Sequence, residues 1–276
     1  MSIVINTNLA ALQGQKNLSR TQNMLTSSFN RLSSGYRINT AKDDAAGMAI
    51  SESMKMQIRS YTVAERNAND AISMAQTAEG ALGELSGIVG RMRELAVQGS
   101  NGSLQASDRD YLQTEFKSLQ AEIKRIMTAT KFNGQALIAN SASSPLAFQV
   151  GINNTADDRI TVTFGAIQLT ALVSTSTTVS GAATNAQAAL DTLDTGLGKI
   201  SKSRARFGAV MNRLEITTAN LQTVRINISA ANSRIRDVDV ADETSQLSRT
   251  QVLSQAGSAM LAQANQAPLL ALSLLR

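Results

Sequence analysis

Residues 186–235 read AQAALDTLDTGLGKISKSRARFGAVMNRLEITTANLQTVRINISAANSRI, and this stretch decides the fold. Ala186, Leu190, Leu193, Leu197, Ile200, Arg204, Phe207, Met211, Leu214, Thr218, Leu221, Val224, Ile228, Ala231 and Ile235 recur in alternating steps of three and four. The mean step of about 3.5 keeps one seam of a helix facing a partner along its whole length, which is the coiled-coil condition. At 1.5 Å rise per residue such a helix is about 75 Å long. It cannot bury its stripe against itself, so the rest of the chain, or another copy, must supply the cover.

Toward the N-terminus a second seam carries the same period: Met54, Ile58, Tyr61, Ala64, Ala68, Ala71, Ala75, Ala78, Leu82, Leu85, Val89, Met92 and Ala96. Gly80, Gly83, Gly87 and Gly90 lie inside it. A helical Gly costs about 1 kcal/mol relative to Ala, so close helix approach is the expected reason for them, with a locally weak helix as the alternative. Gly99 to Gly102 is a loop, and Ser107 with Asp110 suggests a capping box for a shorter helix striped by Leu112, Phe116, Leu119, Ile123 and Ile126. Phe132-Asn133-Gly134 turns the chain. Around 146–164 the period becomes two, which predicts a β-hairpin with its turn at 153–158. Residues 174–180 are a polar loop, and Thr184 with Gln187 offers a cap for the long helix.

Both chain ends are amphipathic. Ile5, Leu9, Leu12, Leu18, Leu25, Phe29, Leu32 and Tyr36 predict a helix over about 5–32, with a slip of register and a break at Ser33-Ser34-Gly35. Leu253, Ala256, Met260, Ala264 and Ala267 stripe the last segment, which ends in an apolar tail, Leu269–Leu275. The acidic patch Asp237, Asp239, Asp242 and Glu243 reads as a joint.

Composition narrows the function. The net charge is +5 and only 3% of residues are aromatic, which suits thin helical bundles better than a thick core. There is no Cys and no His, which removes thiol nucleophiles, Ser-His-Asp triads and the usual zinc sites; no cofactor or metal site is expected and the chain does not read as an enzyme. Residues 1–42 hold five basic side chains and no acid, a pattern shared with transit peptides. No apolar run reaches the ~18 residues of a membrane span, and no secretory signal is legible. The physical reading is a mainly α fold: a long antiparallel coiled-coil-like bundle with a small β-hairpin, whose terminal helices pair with each other and with other copies.

Arg31-Leu-Ser-Ser-Gly-Tyr-Arg-Ile-Asn-Thr-Ala-Lys-Asp-Asp-Ala-Ala-Gly-Met-Ala-Ile50 resembles the N-terminal signature of bacterial flagellin. Ser233-Arg-Ile-Arg-Asp-Val-Asp-Val240, Leu253-Ser-Gln-Ala-Gly-Ser-Ala-Met-Leu-Ala-Gln-Ala-Asn-Gln266 and Leu272-Ser-Leu-Leu-Arg276 resemble its C-terminal signature. The resemblance implies a subunit that polymerises into the flagellar filament for swimming motility, secreted through the flagellar type III apparatus to the cell exterior. Residues 1–43 and 236–276 would form a terminal helical domain, the inner tube. Residues 44–235, with the hairpin, would form a rod-shaped domain, the outer tube; the variable outer domain of longer relatives is reduced to about 166–185.

The partners implied are further copies of the chain, a secretion chaperone, and the filament cap and hook-junction proteins. Neither nucleic acid nor membrane insertion is implied. Leu9, Leu12, Leu25, Phe29, Leu253, Met260 and Leu261 are the expected polymerisation seam. Arg91, Leu95 and Glu115 resemble the segment that an innate immune Toll-like receptor reads in some flagellins, and are expected to form one exposed patch that assembly covers, with seam packing of Leu95 and two solvated charges as the alternative; Gly90 and Met92 depart from the recognised version. The rival readings are a hook–filament junction protein, which shares similar ends, and a membrane-active secreted translocator.

Overall fold

The computed structural model describes residues 7–138, 145–165, 167–174 and 176–273, with side chains as far as residue 266. Ile5 lies outside the described residues, as do the side chains of Ala267 and of the apolar tail. The elements are helices α1 Leu9–Ser34, α2 Ala45–Gly99, α3 Ala106–Ala129, α4 Ala183–Arg236 and α5 Val240–Ser273, with strands β1 Lys131–Phe132, β2 Gln135–Ala136, β3 Pro145–Gln149 and β4 Arg159–Thr163. They build two compact units, one of Met1–Ile58 with Ile226–Arg276 and one of Arg59–Arg225. The borders fall well inside α2 and α4, whereas the sequence placed them at residues 43 and 236.

In the central unit α2 and α4 run antiparallel. Glu65 pairs with Arg225, Glu79 with Arg204 and Arg93 with Asp194, while Gly99 lies against Ala186. In this register the Ala-rich part of α2, Ala64 to Ala78, runs beside Phe207, Val210, Leu214 and Leu221. The larger Leu82, Leu85, Val89 and Met92 run beside Ala189, Gly196 and Ser203, and all of these are buried. Small residues opposite large ones let the seam close at interior density.

Two expectations from the period are corrected here. On α4 the fully buried companions of Ala186, Leu193, Ile200 and Phe207 are Ala189, Gly196, Ser203 and Val210, one residue before the expected Leu190, Leu197, Arg204 and Met211. Arg204 is on the surface with Glu79, and Leu190, Leu197 and Met211 only flank the core. The cause is a third layer: Leu172 packs so closely on Gly196 that a Cβ there would sit 2.5 Å from its Cδ1. On α2, a Cβ at Gly80, Gly83, Gly87 or Gly90 would meet no atom within 4 Å, so close approach is not what these glycines serve within the subunit.

The β3–β4 hairpin is antiparallel, with Phe148 opposite Ile160. Its buried face, Ile160, Val162 and the following Phe164, meets α4: Phe164 stacks on Phe207 with centroids 5.5 Å apart, and Phe148 stands edge-on to Phe164. The Phe132-Asn133-Gly134 turn is itself a hairpin, joining β1 to β2 with both turn residues at positive φ. α3 is capped by the Asp108 carboxylate, which accepts the Gln105 N–H at 3.0 Å; the box lies at Gln105–Asp108, two residues before the expected Ser107–Asp110. The polar segment after β4 is held by its main chain. Gln120 Nε2 donates toward the carbonyls of Leu172, Ser174 and Thr177, and Gln113 accepts the Val179 N–H. Arg109, 7% exposed, donates to the carbonyls of Gly99, Asn101 and Gly181.

Candidate assembly surfaces

In the terminal unit α1 and α5 run antiparallel. Asn8 Nδ2 donates to Ala264 O at 2.8 Å, Leu261 sits over Gly14, Gly257 faces Leu18, and Arg31 lies 3.6 Å from Glu243. The covered stripe of α1 is Ala11, Gly14, Leu18, Thr21, Leu25, Ser28 and Leu32; that of α5 is Glu243, Leu247, Thr250, Ser254, Gly257, Leu261 and Ala264. Both keep the three–four alternation without a slip, but through Gly, Ser and Thr. A reading that tracks large apolar residues cannot see this seam, and the register slip expected in α1 is therefore absent. Small residues let α1 and α5 approach within 8 Å between Cα atoms.

The expected polymerisation seam divides accordingly. Leu25 and Leu261 are half-buried within the α1–α5 pair. Leu9, Leu12, Phe29, Leu253 and Met260 are on its outside, between 52% and 69% exposed, joined by Val252 at 64%. Helices that close on each other through small side chains while presenting Leu, Phe and Met outward leave large apolar side chains in need of cover.

The joint beside this pair is closely tied. Arg37 and Ile38 N–H both donate to Arg236 O, at 2.7 and 3.4 Å, and Val238 N–H donates to Gly35 O. The Arg236 guanidinium lies 4.5 Å over the Tyr36 ring and 3.0 Å from Glu52, a cation–π contact and an ion pair on one side chain. The Asp43-Asp44 motif has two tasks. Asp43 accepts from Asn39 N–H, Thr40 N–H and the Thr40 hydroxyl, bonds that hold its pKa below the usual carboxylate range. Asp44 caps α2 by accepting the Gly47 N–H at 2.9 Å. Gly47 is required because a Cβ would lie 2.5 Å from the Asp44 carboxylate and 2.7 Å from Ile38 Cδ1.

On the central unit the expected patch comes apart. Arg91 and Glu115 are exposed and paired at 2.9 Å, and Arg91 also holds Glu94 at 2.8 Å. The Glu115 and Glu94 carboxylates push the guanidinium pKa upward. Leu95, however, is 1% exposed and belongs to the core. Four residues on from Arg91 is one helical turn plus about 40°, enough to carry a side chain from the rim into the core. The sequence missed Tyr111, which is 77% exposed one turn before Glu115; a lone aromatic off the apolar stripe was the available signal.

A helix pair with large apolar side chains on its outside is the mark of a self-assembling structural subunit, and comparison with known proteins agrees. Residues 5–143 match the bacterial flagellin N-terminal helical region and residues 190–275 the bacterial flagellin C-terminal helical region. The chain is 46% identical over 277 residues to a flagellin of Halalkalibacterium halodurans, covering 99% of this chain and 100% of that one. It is 40% identical over 302 residues to a flagellin of Bacillus subtilis, covering 99% of each. A protein assigned as flagellar hook-associated from Vibrio parahaemolyticus superposes with a TM-score of 0.60 at 14% identity, over 71% of this chain and all of that one, which shows a common fold. The chain belongs to the bacterial flagellin family, structural subunits of the extracellular flagellar filament.

Proposed function

We propose that this chain polymerises into the filament used for swimming, with the α1–α5 pairs of many copies forming an inner tube and the central units an outer one. The observation that carries this is the outward apolar face of Leu9, Leu12, Phe29, Leu253 and Met260 on a pair whose inward seam is already closed by small residues. In the filament these side chains lie against neighbouring pairs, and Leu25 and Leu261 keep each pair together. The subunit leaves the cell by the flagellar type III route, escorted by a secretion chaperone, and meets the cap and hook-junction proteins at the filament ends. Salt-induced assembly of the purified protein tests the reading. Filaments in electron micrographs are expected, and material that remains monomeric at every salt concentration refutes it.

The Arg91–Glu115 side of the central unit is covered by an adjoining subunit in the filament, and in a released monomer it is open to a Toll-like receptor. Arg91 and Glu115 are the contacting groups, and Leu95 supports Arg91 from beneath. Arg91→Ala is expected to lower both filament stability and the response of receptor-bearing reporter cells. An unchanged response together with unchanged stability overturns both roles.

A further inference from the structure

The chain holds two Asn-Gly pairs, Asn101-Gly102 and Asn133-Gly134. Gly lacks the Cβ that would obstruct its own nitrogen, so an Asn before it is open to attack on its side-chain amide by the next backbone N. The two pairs have unlike surroundings. Asn133 and Gly134 have positive φ, 48° and 80°, in the turn joining β1 to β2, where pairing of Phe132 with Gln135 restrains the dipeptide from both sides. Among the described residues no donor bonds to the Asn133 side chain.

Asn101 is exposed in the loop between α2 and α3, and three donors converge on it. Ser103 N–H donates to Asn101 Oδ1 at 3.1 Å, which folds the side chain back toward its own following peptide. The carbonyl of that peptide, Asn101 O, accepts Arg109 Nη2 at 2.9 Å and Leu104 N–H at 3.4 Å. Arg109 is fixed in place by its further bonds to Gly99 O and Gly181 O. Among the described residues nothing accepts the Gly102 N–H, and a Cβ on Gly102 would meet no atom within 4 Å. The nitrogen is free and the approach to it is open.

We propose that Asn101 is a self-modification site, at which the loop promotes loss of the side-chain amide through a cyclic succinimide. Hydroxide takes the Gly102 N–H proton, and the negative charge spreads through the peptide onto Asn101 O, where the Arg109 guanidinium meets it. Gly102 N then bonds to Asn101 Cγ, and the charge moves to Oδ1, where the Ser103 N–H meets it. The Cγ–Nδ2 bond breaks, and Nδ2 leaves as ammonia with a proton from water. Water opens the ring at either carbonyl, giving aspartate when the N–Cγ bond is cut and isoaspartate when the original peptide bond is cut. Each anionic stage finds a donor already in position, which is how a site lowers a barrier without reorganising. Ammonia is lost, so the change runs one way and leaves a new carboxylate beside Arg109. The altered fraction therefore grows with the time a subunit has been folded.

A fold that only restrains the backbone slows ring closure, whereas one that supplies donors speeds it, so comparing folded with unfolded chain tests the proposal. The full chain is incubated at mildly alkaline pH, with and without concentrated urea, then digested in acid and analysed by mass spectrometry. Labelling by an isoaspartyl methyltransferase counts the isoaspartyl product. Asn101 is expected to react about ten-fold faster folded than in urea, the effect of charge-assisted bonds on the two anionic stages. Asn133 is expected to react more slowly folded than in urea. Ser103→Pro removes the N–H that faces Oδ1 and is expected to bring the folded Asn101 rate down toward its urea value, with the melting midpoint confirming that the variant is folded. The comparison in the unaltered chain decides the matter even if that variant does not fold. An Asn101 rate no faster folded than in urea overturns the proposal, and so does a folded Ser103→Pro chain that reacts as fast as before.

Discussion

Leu253 and Leu261 lie eight residues apart on α5, yet acid substitution at each should fail for a different reason. Leu253 is 53% exposed and Leu261 packs over Gly14. Full burial of a Leu side chain is worth about 1.5–3 kcal/mol, so covering the exposed half of Leu253 on assembly contributes about 1 kcal/mol. Asp at that position loses this and adds about 3 kcal/mol of unpaired carboxylate desolvation. The total of about 4 kcal/mol corresponds to about a thousand-fold rise in critical concentration. The monomer should be unaffected, because an exposed surface substitution changes stability by less than about 0.5 kcal/mol. Leu261→Asp, by contrast, should separate α1 from α5 and block assembly through loss of the pair itself. Sedimentation across a concentration series measures the critical concentration, and circular dichroism follows the monomer. Leu253→Asp filaments forming within three-fold of the normal concentration would refute the argument, because they would place Leu253 against solvent in the assembled state.

Hydrogen exchange of the monomer should find fast amides along α1 and α5, whose described faces bury only Ser28, Glu243 and Thr250. The Arg37, Ile38 and Val238 amides, bonded across the joint, should be slow; uniform protection to both ends contradicts assembly-coupled ordering. Gly87→Ala, where a Cβ meets nothing, should stabilise the central unit by about 1 kcal/mol, whereas Gly196→Ala should cost about 1–3 kcal/mol by pushing against buried Leu172; thermal melts yielding the same sign for both reject the packing account. The Asp43 pKa is lower in the folded chain than in the unfolded one, so its contribution is present above the ordinary aspartate range and is lost as pH falls through the depressed value. Asp43→Asn should therefore weaken the joint at neutral pH and flatten its acid dependence, read from Ile38 amide exchange between pH 5 and the acid transition; an unchanged acid slope would assign that slope to other carboxylates.

The 3.5-residue period by itself determined that α2 and α4 are long helices with one apolar seam, and the change to period two determined the hairpin, because both signals are carried by side chains the chain must bury somewhere. The motifs at the ends identified the family for the same reason that they fold: Asp44 must cap, Asp43 must hold the turn and Gly47 must fit beneath Ile38. What pattern could not carry was which of two adjacent heptad positions goes inside. Ala189, Gly196 and Ser203 are buried where Leu190, Leu197 and Arg204 were expected, and at Gly196 the reason is Leu172, which fills the space a Cβ would take. The same ambiguity turned Leu253 and Met260 outward and brought Gly257 and Thr250 inward, and it buried Leu95 while leaving Arg91 exposed. A seam of small residues has no hydrophobic signal of its own. Its existence depends on how closely two helices approach, a distance set by the partner helix and therefore fixed only in the folded chain.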